Sequence, residues 1–390
     1  MKRILYYNTS FDAELAGNYT DRIRRLSAEM SVYALLAAGE DETAVCDAGV
    51  DDAYLEYLRG LSFGADIMHG DVRYTKGMAW GWSERSLHRL ESLGCVCDHP
   101  PLETVKRVNN RAFGISVAKS ISIAHHGEVV NDAGSINDIV KKVKFPILVK
   151  PLHGSSGMGH RVIANPREAD DVMIRILAEN PSGVSVESLL NRIDDYAANF
   201  ILGKDGSIVN LTFHQSVTDN RGIFRGIKLF DNDDFLSRWM SRIMKSVDAV
   251  AGALHDEGYS GHAGIDFFTF RDECGEEDIH ALCEINARRT MGEVARACKR
   301  TLGGKHGMLR QVPSARCGTR EELQRSFGNF SYNADAKNGI CVLSPEAIRF
   351  DGQAVKPALV MLYAAAETEE ELSEMESIIE NTTIRKKRGE

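Results

Sequence analysis

Residues 265–288 read IDFFTFRDECGEEDIHALCEINAR, and they set the terms for the rest of the chain. Two apparent strands lie here, one carrying Asp266 among apolar neighbours and one carrying Glu284, Asn286 and Arg288. In a strand, residues two apart point to one side, so Glu284, Asn286 and Arg288 share a face while Cys283, Ile285 and Ala287 take the other. Asp266 sits between Ile265 and Phe267 and projects from an otherwise buried strand. Two carboxylates and an amide oxygen make a hard-oxygen set suited to Mg²⁺ bridged by phosphates, with Mn²⁺ as a substitute. An arginine beside them suits a second anion, which its planar fork holds bidentately. Taken alone, the same residues also read as a structural Glu–Arg ion pair at a strand end.

Upstream, Phe145-Pro-Ile-Leu-Val-Lys150-Pro-Leu-His-Gly-Ser-Ser-Gly-Met-Gly159 is a buried-strand signal ending in a lysine, followed by a glycine-rich loop. An ammonium at the mouth of a buried strand needs an anionic partner, and a phosphate would serve. The competing reading is a strand-end lysine that snorkels to solvent. In the loop, Ser155, Ser156, Gly157, Met158 and Gly159 can bring backbone N–H groups and hydroxyls to a phosphate chain, because glycine permits the turns required. The Gly-Lys-Ser/Thr ending of a Walker A motif is absent, and a plain hairpin turn explains the loop equally well.

The whole chain narrows the class. Its 390 residues can bury several cores. With 47 basic against 56 acidic residues the net charge is −9, which argues against bulk nucleic-acid binding. The one basic run, Arg385-Lys386-Lys387-Arg388, reads as a solvated tail or a small anionic-partner site. No signal-peptide h-region and no membrane-length apolar run is present. Eight cysteines lack any Cys-x-x-Cys pair, so reduced thiols and a cytoplasmic location are expected.

Periodicity divides the chain. Residues 1–105 read as a small α/β unit, with a strand at Ile4–Tyr7, a helix over Asp21–Ala38 stopped by Gly39, and short strands near Ala65–Met68 and Cys95–Cys97. No Gly-x-Gly-x-x-Gly follows the first strand, so this unit need not bind a dinucleotide. Residues 106–185 carry the lysine strand and the glycine loop, and residues 186–310 carry the metal-type strands, with a helix from about Asp234 to Glu257 between. Residues 335–390 read as a separate C-terminal α/β cap with an Asp351-Gly352 turn.

These motifs, in this order, resemble the ATP-grasp superfamily over about residues 106–300. The lysine strand looks like its nucleotide-binding strand, and Gly154–Gly159 like its phosphate-covering loop. Val184-Ser-Val-Glu187-Ser-Leu189-Leu190 is similar to the interdomain segment that clamps adenine, with Glu187 and Leu189 as nucleotide contacts. Tyr259-Ser-Gly-His-Ala-Gly-Ile-Asp266 and Glu284-Ile-Asn286-Ala-Arg288 match the metal-binding strands. The resemblance implies two α+β subdomains clasping ATP, an N-terminal Rossmann-like unit before them and a small C-terminal cap. Glu-Ile-Asn-Ala-Arg is closer to the carboxylate–amine ligases than to the inositol-phosphate kinases, which tend to have Asp in the glutamate position. Two departures stand out. Asn109-Asn110-Arg111 takes the place of Asn-x-Lys, so Arg111 would replace the first nucleotide-binding lysine. Arg288-Arg289-Thr290-Met291-Gly292 stands where a glycine-rich substrate loop is usual, so the substrate does not carry over.

The resemblance implies ATP and one or two Mg²⁺ held by Asp266, Glu284 and Asn286, with Lys150 and Arg111 on the phosphates and Arg288 on an acyl phosphate. The expected partners are a small carboxylate and an amine, such as an amino acid or peptide, with neither nucleic acid nor membrane involved and with a homodimer as one arrangement. His214, Arg221, Arg225 and Lys228 form either a solvated loop or a site for a carboxylate substrate. Trp80-Gly81-Trp82 reads as core or as pocket wall. An ATP-dependent ligase leads, with an ATP-grasp kinase and a non-enzymatic nucleotide-binding regulator as rivals.

Overall fold

The computed structural model describes residues 3–64, 66–67, 75–154, 159–219, 222–230 and 234–384. Ser155, Ser156, Gly157, Met158, Arg221 and the basic run 385–388 lie outside the described residues.

The N-terminal unit is a parallel sheet of β1 (Arg3–Tyr6), β2 (Glu42–Val45), β3 (Lys76–Ala79) and β4 (Val96–Cys97), in the order β2-β1-β3-β4. Its central strand β1 is an apolar run in which Ile4, Leu5 and Tyr6 are all buried. The helix expected over Asp21–Ala38 runs as Asp21–Ser31 and then Ala34–Ala37. Ser31 accounts for the break: its hydroxyl donates to the Ala28 carbonyl and accepts from the Asp47 amide, drawing the chain out of register. Of the strand expected near Ala65–Met68, only a bridge from Ile67 to Ala44 is described, and β3 was not anticipated.

A second, antiparallel sheet is built from β5 (Glu128–Val130), β6 (Ile147–Pro151), β7 (Arg161–Ile163) and β8 (Val184–Ser188), ordered β5-β8-β6-β7. Lys150 sits on β6, and Glu187 lies on β8 one strand away. The helix Pro166–Glu179 covers this sheet; Asn165 caps it and Pro166 occupies its first turn, where a missing N–H costs nothing.

The third sheet is the largest. It contains β9 (Asn191–Leu202), β10 (Ile208–Thr218), β11 (Phe224–Leu229), β12 (Gly261–Arg271), β13 (Glu277–Asn286), β14 (His306–Pro313), β15 (Gly339–Val342) and, after the two-stranded hairpin β16 (Ile348–Phe350) and β17 (Gln353–Val355), β18 (Leu359–Ala366). Its order is β13-β12-β9-β10-β11-β14-β18-β15. Helix Asp234–Asp256 lays Trp239, Ile243, Val247, Val250 and Leu254 against β13 and β9. The segment read as a separate C-terminal cap is hydrogen-bonded into this sheet, since β14 pairs with both β11 and β18. Its Asp351-Gly352 turn forms as read, with both residues at positive φ, 49° and 78°.

The seam between β11 and β14 therefore carries the C-terminal third of the sheet. At Gly226 a Cβ would lie 2.2 Å from the Leu309 carbonyl oxygen, a backbone atom that cannot give way. Gly226→Ala is expected to destabilise the protein by about 1–3 kcal/mol through overpacking, measured by denaturant unfolding. Unchanged stability would mean that the seam is looser than this register.

Candidate functional site

Asp266 and Glu284 face each other directly across the β12–β13 pair, between two sheets. Like charges opposite one another in a sheet repel. Burial, then the Glu284 carboxylate, pushes the Asp266 carboxyl up to about 7, against the pull of Asn286 and Arg288. Asn286 donates its amide nitrogen to Asp266 Oδ2 at 3.0 Å, which leaves its oxygen as the donor available to a cation. Arg111, buried at the start of the helix Arg111–Ser120, donates to Glu284 Oε1 at 2.9 Å. The same guanidinium holds the carbonyls of Pro151 (2.5 Å) and Gly154 (3.0 Å), so it ties the carboxylates to the end of the lysine strand. A positive charge thus already rests against this acidic pair, and the donor set is hard oxygen throughout, the chemistry that suits Mg²⁺.

Lys150 is 4% exposed and pairs with Glu187. It does not snorkel; it reaches Cys283 Sγ at 4.0 Å across the gap between the sheets. Burial alone would raise the Glu187 pKa, but Lys150 outweighs it and holds the carboxyl below its usual value. Glu187, expected to touch a nucleotide, is here the counter-ion of the lysine. Leu189 follows it, half-exposed, with its amide bonded to the Pro146 carbonyl at 2.8 Å. Gly159 closes the glycine loop at φ +79°, with a Cβ there only 2.9 Å from the Pro151 ring.

Arg288 departs from the expected strand geometry. β13 ends at Asn286, and the Arg288 amide turns back to the Asn286 carbonyl at 2.9 Å, so the alternation of faces stops before it. Its guanidinium reaches the N-terminal unit, donating to both oxygens of Asp12 at 3.0 and 3.4 Å. It remains within the field of Glu284 and Asp266.

The three substrate candidates that the structure describes, His214, Arg225 and Lys228, do not bring their side chains together. His214 is 3% exposed, contacts Asn199 at 3.2 Å and lies under Gly292; burial, aided by Arg296, lowers it to about 3, so it is a neutral packing histidine. Arg225 pairs with Asp219 at 2.7 Å and Lys228 with Glu376 at 2.6 Å. Asn199 also accepts from the Thr290 hydroxyl at 2.9 Å, so His214 and Asn199 support the segment that presents Arg288.

Several site residues carried no motif. Asp12 follows the carboxyl end of β1, where open parallel sheets place ligand contacts, and that rule could have found it. Arg192 stacks over the Phe268 ring at 3.9 Å and reaches Cys283 Sγ at 3.7 Å. His160, lowered to about 3 by burial and then by Lys150 and Arg111, has a buried Nε2 with no partner among the described residues. Neither had a sequence signal. Trp80 and Trp82 prove to be both core and wall: with His99, His262 and Arg288 they line a cavity of about 220 Å³ between the N-terminal unit and the end of β13. The Trp82 and His99 rings are 5.3 Å apart.

No family model and no curated protein matches this sequence. Solved structures do, along nearly its whole length. An N5-carboxyaminoimidazole synthetase from Staphylococcus aureus superposes with a TM-score of 0.58 at 11% identity, covering 97% of each chain. A biotin carboxylase from Campylobacter jejuni, in complex with a β-γ-ATP, gives 0.55 at 12% identity over 97% of this chain and 91% of its own. The biotin carboxylase domain of the Hydrogenobacter thermophilus 2-oxoglutarate carboxylase, bound to ADP, its magnesium salt and bicarbonate, gives 0.55 at 15% identity over 97% and 89%. At such identities the likeness establishes architecture: this chain has the ATP-grasp fold. Among the described residues no helix is long and apolar enough to cross a membrane.

The raised Asp266 pKa has a consequence for stability. Its proton is held more tightly in the folded state than at the ordinary carboxylate value of 3.8, so stability falls as pH rises from about 4 and levels off above about 7. Asp266→Asn removes that penalty while removing a metal ligand. The variant is expected to melt higher than the parent at pH 8, with a smaller gain at pH 4.5, and to lose Mg²⁺-dependent stabilisation. Equal shifts at both pH values in thermal unfolding would refute the like-charge account.

Proposed function

We propose that this chain is an ATP-dependent ligase that joins a carboxylate to an amine through an acyl phosphate, releasing ADP and phosphate. The observation that carries it is the opposed Asp266–Glu284 pair, with Arg111 bridging it to the lysine strand on the facing sheet. The neighbouring structures that hold ADP, a magnesium salt and bicarbonate support the same ligands here. Asp266, Glu284 and Asn286 would hold Mg²⁺, which supplies charge neutralisation at the phosphates. Lys150, released from Glu187, and Arg111, released from Glu284, would take the phosphate oxygens. Glu187 would then be free for the nucleoside, beside Leu189.

The chemistry balances as two displacements. An oxygen of the carboxylate attacks the γ-phosphorus, and the bond to the β-bridging oxygen breaks, giving acyl phosphate and ADP. The amine then attacks the acyl carbon, the carbon–oxygen bond to phosphate breaks, and the amine proton leaves to solvent or to the departing phosphate. An acyl phosphate hydrolyses readily, so the chain's task is to position its partners and exclude water. Arg288 would hold the intermediate's oxygens, with Asp12 fixing its guanidinium. The cavity behind it, walled by Trp80, Trp82 and His99, would hold the body of a substrate.

Arg288→Lys keeps the charge and loses the planar fork. ATP affinity is expected to stay nearly unchanged while coupled product formation falls about 100-fold or more, with some ATP hydrolysis left. ADP release over a panel of acids, bicarbonate included, with and without pooled amines, reads the outcome. A requirement for one co-substrate only would favour the kinase alternative, and loss of ATP binding in the variant would place Arg288 in the nucleotide site.

A further inference from the structure

The edge strand β15 stands at the opposite end of the large sheet from β13, seven strand spacings or roughly 33 Å away. There the N-terminal helix Asp52–Gly60 docks on the sheet edge. The Tyr54 hydroxyl donates to the Leu343 carbonyl at 2.6 Å and the Tyr57 hydroxyl to the Val342 carbonyl at 2.8 Å. Beside this junction lies a cavity of about 190 Å³. None of the residues proposed for the nucleotide or the metal lines it.

Two cations border the cavity, and neither has a carboxylate within ion-pair distance among the described residues. Arg320 stacks its guanidinium on the Tyr57 ring at 4.1 Å and stands 5.7 Å from that of Tyr54, so its fork is held in place. Its Nε is buried and has no hydrogen-bond acceptor among the described residues. Among the described residues Lys356 Nζ donates only to the Cys317 carbonyl, at 3.1 Å. One acid stands on the wall, Glu346, whose carboxylate accepts from the backbone amide of Arg320 at 2.7 Å. The ionised lining side chains therefore sum to one positive charge. The remaining surface includes buried Leu323, Val342 and Val360.

A buried N–H without an acceptor is costly, and a stacked arginine presents a fixed planar fork suited to two oxygens. We infer that this cavity is a second ligand site, which takes a small organic oxyanion: a carboxylate or phosphate group on a short apolar body. The oxyanion would lie against Arg320 and Lys356 and the apolar body against Leu323, Val342 and Val360. Occupancy would also brace the two tyrosines that clamp the N-terminal unit to the sheet edge.

Calorimetric titration of the full chain with isovalerate and, separately, with inorganic phosphate tests this. At least one anion should bind saturably. That binding should weaken about tenfold or more in Arg320→Gln and fall measurably in Lys356→Gln, as expected when one charged partner of an oxyanion is lost. A response to isovalerate alone identifies a carboxylate ligand, a response to phosphate alone identifies a phosphorylated one, and both together support the shared oxyanion chemistry. Should Arg320→Gln fail to fold, Arg320→Lys and Lys356→Gln decide: the lysine keeps the charge but not the fork, and both should bind more weakly than the parent. The inference is overturned if neither anion binds saturably, or if binding is unchanged in the folded variants, which would assign it to the nucleotide cleft.

Discussion

Asp266 and Glu284 are two acids that the sheet forces to face one another. Such a pair on adjacent strands is an electrostatic liability, and nothing about packing requires it. The structure answers it in three ways: Asp266 retains a proton toward neutral pH, Asn286 donates to it, and Arg111 lies on Glu284. Each answer draws in another element. Arg111 reaches on to the loop after β6, so the lysine strand is located relative to the acids by one guanidinium. Arg111 is thus at once the counter-ion of Glu284 and the tie to the lysine strand.

The same logic runs through the cleft. Lys150 and Glu187 neutralise each other across adjacent strands of the smaller sheet, and Arg288 and Asp12 do so between the N-terminal unit and the end of β13. Each pair joins a group suited to an anionic ligand to one that holds it ready. Buried pairs of this kind add little net stability, because desolvation offsets the attraction. In the proposed reaction their use would be conformational: the cations would have defined positions before a ligand arrives, and the ligand would replace one ion pair by another rather than desolvating a bare charge.

What the sequence disclosed follows from the range of the interactions. The face shared by Glu284 and Asn286, the Lys150 strand, the long helix and the Asp351-Gly352 turn depend on neighbours a few residues away, and all are present. Arg288 depends on Asp12, 276 positions distant, and on the strand ending two residues early, so periodicity alone put it on the wrong element. His214, Arg225 and Lys228 looked like a cluster because they are close in sequence. Their strands are paired, but the side chains part because His214 turns into the core and the two cations find separate acidic partners. The C-terminal segment read as a separate unit because its own alternation is complete, while the partner of its β18 is β14, outside the segment, which pairs in turn with β11.

That last pairing changes how the molecule is tied together. With β14, β18 and β15 continuing the sheet, the chain returns to its own N-terminal unit: the β16–β17 hairpin meets the Asp21–Ser31 helix through Arg24, whose guanidinium binds both oxygens of Asp351 and stacks on Phe350. Glu29 accepts from the Ala358 amide, and Gly49 bridges to Arg349. The N-terminal unit is thus held at two ends, by Arg288 at the cleft and by the hairpin and tyrosines at the far edge. Because Asp12 sits on that unit, the position of the arginine proposed to steady the intermediate is set jointly by contacts at the cleft and by contacts across the full width of the sheet.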